Sequence, residues 1–173
     1  MIRPAVFSDL SSIEEIYQEH FVHEKQHVAY TVFREGVYPT RKDAQKALRK
    51  DALFVYEENG IILGSMIADD FQPNEYKRID WPSHATDEKV KVIHLLMIRP
   101  SAAGKGLGSA LVNFVLEMAK QQSCIAIRLD TGSQNIPAVS LYKKLGFQLA
   151  ATSSMKVGGA ISHKDHLFFE KRI

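Results

Sequence analysis

Residues Lys91 to Gly108 read K-V-I-H-L-L-M-I-R-P-S-A-A-G-K-G-L-G. The apolar run from Val90 to Ile98 has the length and composition of a buried strand. Arg99-Pro100 breaks it, because proline has no N–H to offer a ladder. A loop of small residues follows and opens into a helix near Gly106. Gly104, Gly106 and Gly108 alternate, so the backbone there can approach a ligand closely. The free N–H groups of the helix's first turn point at the same spot and carry partial positive charge. A strand, a glycine turn and a helix start together predict a cradle for a phosphate or pyrophosphate.

Downstream, Leu107, Leu111, Phe114, Val115 and Met118 form one helical stripe. Ile125 to Leu129 reads as a strand and Asp130 to Ile136 as a polar loop. Pro137 suits the first position of a helix that runs to Leu145, with Gly146 just past its end. Phe147 to Val157 and His166 to Lys171 read as two final strands joined through Gly158-Gly159. Upstream, Ile2 to Val6 is a short strand, and Ser8 or Asp9 caps a helix carrying Leu10, Ile13, Tyr17 and Phe21 inward. Thr40 with Asp43 opens a second helix that reaches about Lys50. Leu53 to Tyr56 and Ile61 to Ala68 form a hairpin about Asn59-Gly60. Val28 to Pro39 shows no clear period. The order is strand, two helices, three strands, helix, strand, helix, two strands, which predicts a mixed α/β fold around one sheet in a single domain over 1–173.

The composition limits the function classes. The chain has 173 residues, 45% hydrophobic and 24% charged, with a net charge of +2. These values suit one soluble domain and give no basic stripe for nucleic acid. The single Cys124 excludes an internal disulfide and a multi-cysteine metal site. His23 and His27 have chelating spacing but no third ligand, so they read as surface histidines and no metal is expected. Neither a leader-like apolar run nor a membrane span is seen, and a cytoplasmic protein is the expectation.

Three phosphate-binding patterns compete for the glycine turn. A P-loop needs a lysine after its last glycine, whereas Lys105 precedes Gly106. A dinucleotide turn needs G-x-G-x-x-G, and the spacing here is G-x-G-x-G. Asp130, at the end of the next strand, keeps that reading open as a ribose-binding acid.

The third pattern extends past the turn. R-P-S-A-A-G-K-G-L-G-S-A-L, followed by N-I-P-A-V-S-L-Y-K-K-L-G-F at Asn135 to Phe147, resembles the GCN5-related N-acetyltransferase family. That family's turn, Q/R-x-x-G-x-G/A, maps to Ala103, Gly104, Lys105, Gly106, Leu107 and Gly108, with Ala103 where Gln or Arg is usual. The resemblance implies a mostly antiparallel mixed sheet flanked by helices, with a splayed central strand pair. It also implies acetyl-coenzyme A as cosubstrate and a primary amine, on a small molecule or a peptide, as acceptor.

By the same resemblance, backbone groups of Leu96, Met97 and Ile98 pair with the pantetheine arm. The N–H groups from Gly104 to Ser109 hold the pyrophosphate, with Lys105 beside it. Asn135 bonds the cofactor arm, or caps the helix at Pro137, or both. Tyr142 protonates the leaving thiolate as general acid, unless it is simply packed among Leu141 and Leu145. Many family members carry a glutamate where this chain has Val92. His94, two residues on and on the same strand face, is the candidate base or water relay, against a structural histidine bonded in the sheet. An N–H near Met97 or Ile98 would hold the oxyanion.

The acceptor is expected to meet the loop from Asp69 to Glu88. Asp69, Asp70, Glu75 and Asp80 can attract a cation there, and Tyr76 and Trp81 can form an aromatic wall. A solvated polar excursion is the competing reading. The alternative function is a non-catalytic acetyl-CoA-binding or sensor module of the same fold. Homodimers are common in the family, an expectation that this chain's own pattern does not test.

Overall fold

The computed structural model describes residues 1–173. Seven strands form one sheet: β1 (Ile2–Pro4), β2 (Leu53–Glu58), β3 (Ile61–Asp69), β4 (Val90–Ile98), β5 (Ala126–Gly132), β6 (Gln148–Val157) and β7 (Ile161–Arg172). Four helices flank it: α1 (Leu10–Gln26), α2 (Arg41–Leu48), α3 (Leu107–Gln121) and α4 (Ile136–Lys144). The strand order is β1-β2-β3-β4-β5-β7-β6, and only β4 and β5 run parallel. Local chemistry sets several joints. Asn59 and Gly60 both take positive φ, as a tight hairpin between twisted strands requires. Asp43 accepts the Thr40 N–H at 2.7 Å and closes the capping box that starts α2.

The β4–β5 pairing covers only Val90 with Ala126, Lys91 with Ile127 and Val92 with Arg128. Beyond Val92 the two strands part. A bulge in β4 accompanies the parting. Met97 faces Ser65 and His94 faces Ile67, so Leu95 and Leu96 stand against Met66 alone. Leu95 takes a φ of 47°, an uncommon value for a branched residue. The extra residue bends the strand and shifts its alternation. Ile93 therefore packs with α3, whereas Leu95 and Met97 pack with α1 and α2.

Helices α3 and α4 cover one sheet face, where Leu111, Val112 and Val115 meet Ile127, Leu129 and Phe169. Helices α1 and α2 cover half of the other face. The Asp69–Glu88 segment covers the rest, laying Tyr76 and Trp81 over Val92, Ala126 and Phe168. A buried ion pair fastens it. Arg128 Nε donates to Glu170 Oε2 at 2.8 Å, with both side chains almost fully buried. Glu170 also accepts from the Ser83 N–H at 2.7 Å and the Ser83 hydroxyl at 2.8 Å. The Arg128 guanidinium lies 4.5 Å from the Trp81 ring and donates to Gln72 and Ala85.

Two boundaries differ from the sequence reading. β5 continues through Asp130, Thr131 and Gly132, and β7 starts at Ile161 rather than His166. Both changes have one cause. Asp130, Thr131 and Gly132 pair with Phe168, Leu167 and His166 of β7, and Ile161, Ser162 and His163 pair with Val157, Lys156 and Met155 of β6, so ladder bonds override the polar character of these residues. No helix is long and apolar enough to cross a membrane.

Glu170→Ala would leave Arg128 buried without a counter-charge. We expect a loss of about 3–5 kcal/mol in unfolding free energy, read as a lower urea midpoint. Replacing both partners with apolar residues of similar volume is expected to recover most of it.

Candidate active site

The site is built from the place where β4 and β5 separate. At the far end of β4, Gly104 and Gly106 have φ of 76° and 81°, and Gly106 is the N-cap of α3. A side chain at either position would be strained. The N–H groups from Gly104 to Ser109 have no acceptor in the protein, so six successive donors line this turn. The Ala103 N–H is already used, donating to the Pro100 carbonyl at 3.2 Å, and the free cradle begins one residue later. Lys105 is exposed beside it. Gly108 has a different function. A Cβ there would lie 3.1 Å from Leu141, so this glycine lets α3 approach α4. Arg99 fixes the turn to α1 through Glu15 and Glu19, and its Nε donates to the Ile62 carbonyl at 2.8 Å.

Along the parted edge, the β5 side of Leu96, Met97 and Ile98 has no strand partner. Asn135 and Tyr142 stand across this cleft, at the start and within α4. Asn135 Oδ1 accepts the Ala138 N–H at 3.3 Å, so it does cap the helix, and its side chain also lines the adjoining cavity. Tyr142 is buried against Phe147 and Phe169. Its hydroxyl bonds to no protein group. Burial, with the Asp130 charge as a second cause, raises it well above the usual phenol range. It therefore stays protonated at any ordinary pH.

On the opposite face a cavity of about 500 Å³ opens between the α1–α2 core and the Tyr76–Trp81 core. His94 and Asp69 line it. His94 Nε2 lies 3.1 Å from Asp69 Oδ1 and 3.2 Å from the Phe71 carbonyl. Both are acceptors, so Nε2 carries the proton and Nδ1 is left with a free lone pair. Burial alone would raise the Asp69 carboxyl. The hydrogen bond and charge of His94, with the Phe71 N–H, outweigh it and hold the carboxyl below its usual range. Val92 is fully buried and has no access to this cavity.

Of the residues expected to meet an acceptor, Asp69 and Glu75 line the cavity, and Asp70 and Asp80 do not. Tyr76 and Trp81 are core residues rather than a wall. Their packing and the bond from Trp81 Nε1 to the Tyr76 carbonyl at 2.9 Å hold the loop down. The aromatic lining comes instead from Phe33, Tyr38 and Phe71. Phe33 and Tyr38 lie in the segment whose period was unreadable. The tip of the β6–β7 hairpin folds over Tyr38, and a Cβ on Gly158 would overlap that ring. Asp130 and His166 also line the cavity, bonded at 3.1 Å, a pair that the sequence did not connect. No group of three or more His, Cys, Asp or Glu side chains is placed to hold a metal ion. His23 and His27 are exposed and stack on each other at 4.1 Å.

The sequence pattern of the acetyltransferase (GNAT) family matches residues 10–147. The chain belongs to this family. Over 153 residues it is 31% identical to an uncharacterised N-acetyltransferase of Methanocaldococcus jannaschii, covering 85% of this chain and 60% of that protein. The chain thus spans less than two thirds of that relative's length. A Staphylococcus aureus Mu50 protein described as an acetyltransferase is 28% identical and superposes with a TM-score of 0.73, over 99% of this chain and 98% of that one. A Salmonella typhimurium protein described as an acetyltransferase, solved with its cofactor acetyl-CoA, has the same fold. Its TM-score is 0.71 at 20% identity, over 99% of this chain and 92% of that one. The GNAT fold predicted from the two sequence blocks is thus the fold observed.

Asp69 gives a pH test of this site. Its folded pKa lies below the unfolded value of about 3.9, so its contribution to stability is present above that value and is lost as pH falls through the folded value. The stability difference between wild type and Asp69→Asn is expected to shrink as pH drops from about 5 to below about 4. Urea denaturation at a series of pH values measures it.

Proposed function

We propose that this protein transfers the acetyl group of acetyl-CoA to a primary amine by direct attack within a ternary complex. The observation that carries this is the parting of β4 and β5. It has six unpaired N–H groups at one end and an acid–imidazole pair at the apex. Membership of the GNAT family and the acetyl-CoA bound by the Salmonella relative support the same reading.

The pyrophosphate binds the Gly104–Ser109 donors, where it also meets the positive end of α3. The pantetheine amides bond the free edge of Leu96, Met97 and Ile98, and the arm runs past Asn135 toward the apex. The acceptor occupies the cavity with its nitrogen near His94. An alkylamine is mostly ammonium near neutral pH and must lose a proton before it attacks. His94 Nδ1 takes that proton, directly or through one water, while Asp69 on Nε2–H favours the imidazolium that forms. The nitrogen attacks the thioester carbonyl, and an N–H near Met97 or Ile98 holds the oxyanion. The C–S bond then breaks, and Tyr142 donates a hydrogen bond to the thiolate. Tyr142, which burial keeps protonated, acts as general acid to that sulfur and regains a proton from the nitrogen once the N–C bond has formed.

Acetyl-CoA at about 100 times its Kd is expected to stabilise the protein by about 2.7 kcal/mol, seen as a thermal shift that NAD and ATP do not produce. Release of free CoA thiol with a panel of amines tests the transfer. Binding of acetyl-CoA with no thiol release from any amine would favour a sensor module instead.

Tyr142→Phe and His94→Ala are each expected to lower kcat by about 10²-fold or more, with acetyl-CoA affinity kept. Recovery of the His94→Ala rate at high pH would identify the missing group as the base. Unchanged turnover in either variant would remove that residue from the mechanism.

A further inference from the structure

Acetyl transfer to an amine leaves the rest of the acceptor open, and the charges around the cavity narrow it. Four carboxylates line the cavity, and each already has a donor within the protein. Asp69 accepts from His94 and the Phe71 N–H. Asp130 accepts from Tyr76 at 2.7 Å and pairs with His166 at 3.1 Å. Asp43 accepts the Thr40 N–H and hydroxyl at the start of α2. Glu75 accepts the Lys156 N–H at 3.1 Å.

The lysines of the cavity, Lys46, Lys50 and Lys156, differ from the carboxylates. The lysine ammonium groups that do bond within the protein belong to Lys25, Lys89, Lys120 and Lys171, all outside the cavity. Lys156 has the Glu75 carboxylate on its own backbone as a neighbouring charge. Lys46 and Lys50 have no such neighbour, and Asp43, one turn before Lys46, is turned back on Thr40. They stand one helical turn apart, at the end of α2 and in the turn after it, so they form a single cationic edge. The Ala68 N–H donates to the Ala52 carbonyl at 2.9 Å, which holds this turn against β3 next to Asp69. No residue of the Gly104–Ser109 turn lines the cavity, so a pyrophosphate held at that turn leaves these two lysines unpartnered.

Phe71 stands between this edge and His94. Its ring centre lies 6.0 Å from Lys50 Nζ and 6.1 Å from the His94 ring. Phe71 lines the cavity and is 58% exposed, so an apolar surface waits to be covered there. Base, apolar ring and unpaired cations thus follow one another along one wall. A ligand that satisfies all three carries an amine at one end, an anion at the other and an apolar segment between.

We propose that the acceptor is an amine bearing an anionic group, a carboxylate or a phosphate, which Lys46 and Lys50 hold across the Phe71 ring from His94. This rests on the acetyl-transfer reading above and names the substrate class of the same site. The anion takes no part in bond making. The nitrogen gains the acetyl group and loses protons, the coenzyme leaves as its thiol, and the product keeps its anionic charge. A diamine is disfavoured, because its second ammonium would meet the two lysines. A simple alkylamine covers Phe71 and leaves the lysines unpaired.

The test compares matched acceptors on the full chain with saturating acetyl-CoA, by release of free CoA thiol. β-Alanine, γ-aminobutyrate and ε-aminocaproate form the anionic set, with aminoalkyl phosphates of the same lengths as a second arm. The faster arm names the anion. The carboxamides of the three acids form the uncharged set, and diamines of equal length the cationic set. At the best length, kcat/KM for the anionic amine is expected to exceed that for its carboxamide by about 10-fold, and that for the diamine by more. This preference should shrink as salt is raised, because both lysines are exposed. Lys46→Glu and Lys50→Glu are each expected to raise KM for the anionic amine by about 10-fold and to lower KM for the diamine. Equal or faster turnover of the carboxamides or diamines by the wild type would overturn the proposal and leave acetyl transfer standing. A loss of kcat alike for all sets, with the anionic preference intact in both variants, would also overturn it, because a purely structural role has that signature. Absence of thiol release from every amine, in these sets and in the wider panel, would overturn both readings together.

Discussion

The parallel pairing of β4 with β5 stops after Val92 and Arg128, and the rest of the molecule is arranged around that stop. Backbone donors and acceptors facing a gap must find partners or water. In most sheets the next strand supplies them. Here the bulge at Leu95 bends β4 away, and β5 keeps only its antiparallel pairing with β7 on its other edge. The exposed β4 edge can therefore bond an extended ligand bearing amide groups. The glycine turn at the end of the same strand adds its own unpaired N–H groups. One local distortion thus opens an apex between the two sheet faces, with α3 and α4 on one and the cavity on the other.

Keeping this gap open requires rigidity on both sides. Arg99 ties the glycine turn to α1. On the β5 side the Arg128–Glu170 pair, two residues before Asp130, holds the Asp69–Glu88 segment against the sheet. Such a pair adds little net stability by itself, because desolvation offsets much of the attraction. Its effect here is geometric. It sets where the loop lies, and so where Asp69, Phe71 and Glu75 meet the cavity. Titratable side chains near the apex then acquire distinct characters from their surroundings. Asp69 is held ionised by His94, whereas buried Tyr142 is held neutral. Separation of this kind allows one site to accept a proton and donate a hydrogen bond at the same pH.

Much of the fold could be read from short-range signals. Asn59-Gly60 marks a hairpin because both residues tolerate positive φ, and Thr40 with Asp43 marks a helix start because their hydrogen bonds are local. The stripe from Leu107 to Met118 needed only helical periodicity. Failures occurred where distant partners decided the outcome. Asp130 to Gly132 and Ile161 to Asp165 look like loop by composition and become strand because the first pairs with β7 and the second with β6. Tyr76 and Trp81 look like candidates for a binding wall in a polar loop. They are core residues because Arg128 and Phe168, far along the chain, complete their packing.

By itself the sequence determined the element order, the glycine turn and the two motif blocks that mark the family. All of these rest on neighbours in the chain or on helical and strand periods. It also brought His94 forward, because strand alternation places it on the face of Val92. Only the tertiary structure decided that His94 has Asp69 behind it and a free Nδ1. Only the tertiary structure joined Asp130 to His166 across two strands and lined the cavity with Phe33 and Tyr38 from an unpatterned segment. The physical reason is the same in each case: these contacts depend on sheet register and on where a bulge bends one strand, and neither follows from the residues adjacent in sequence.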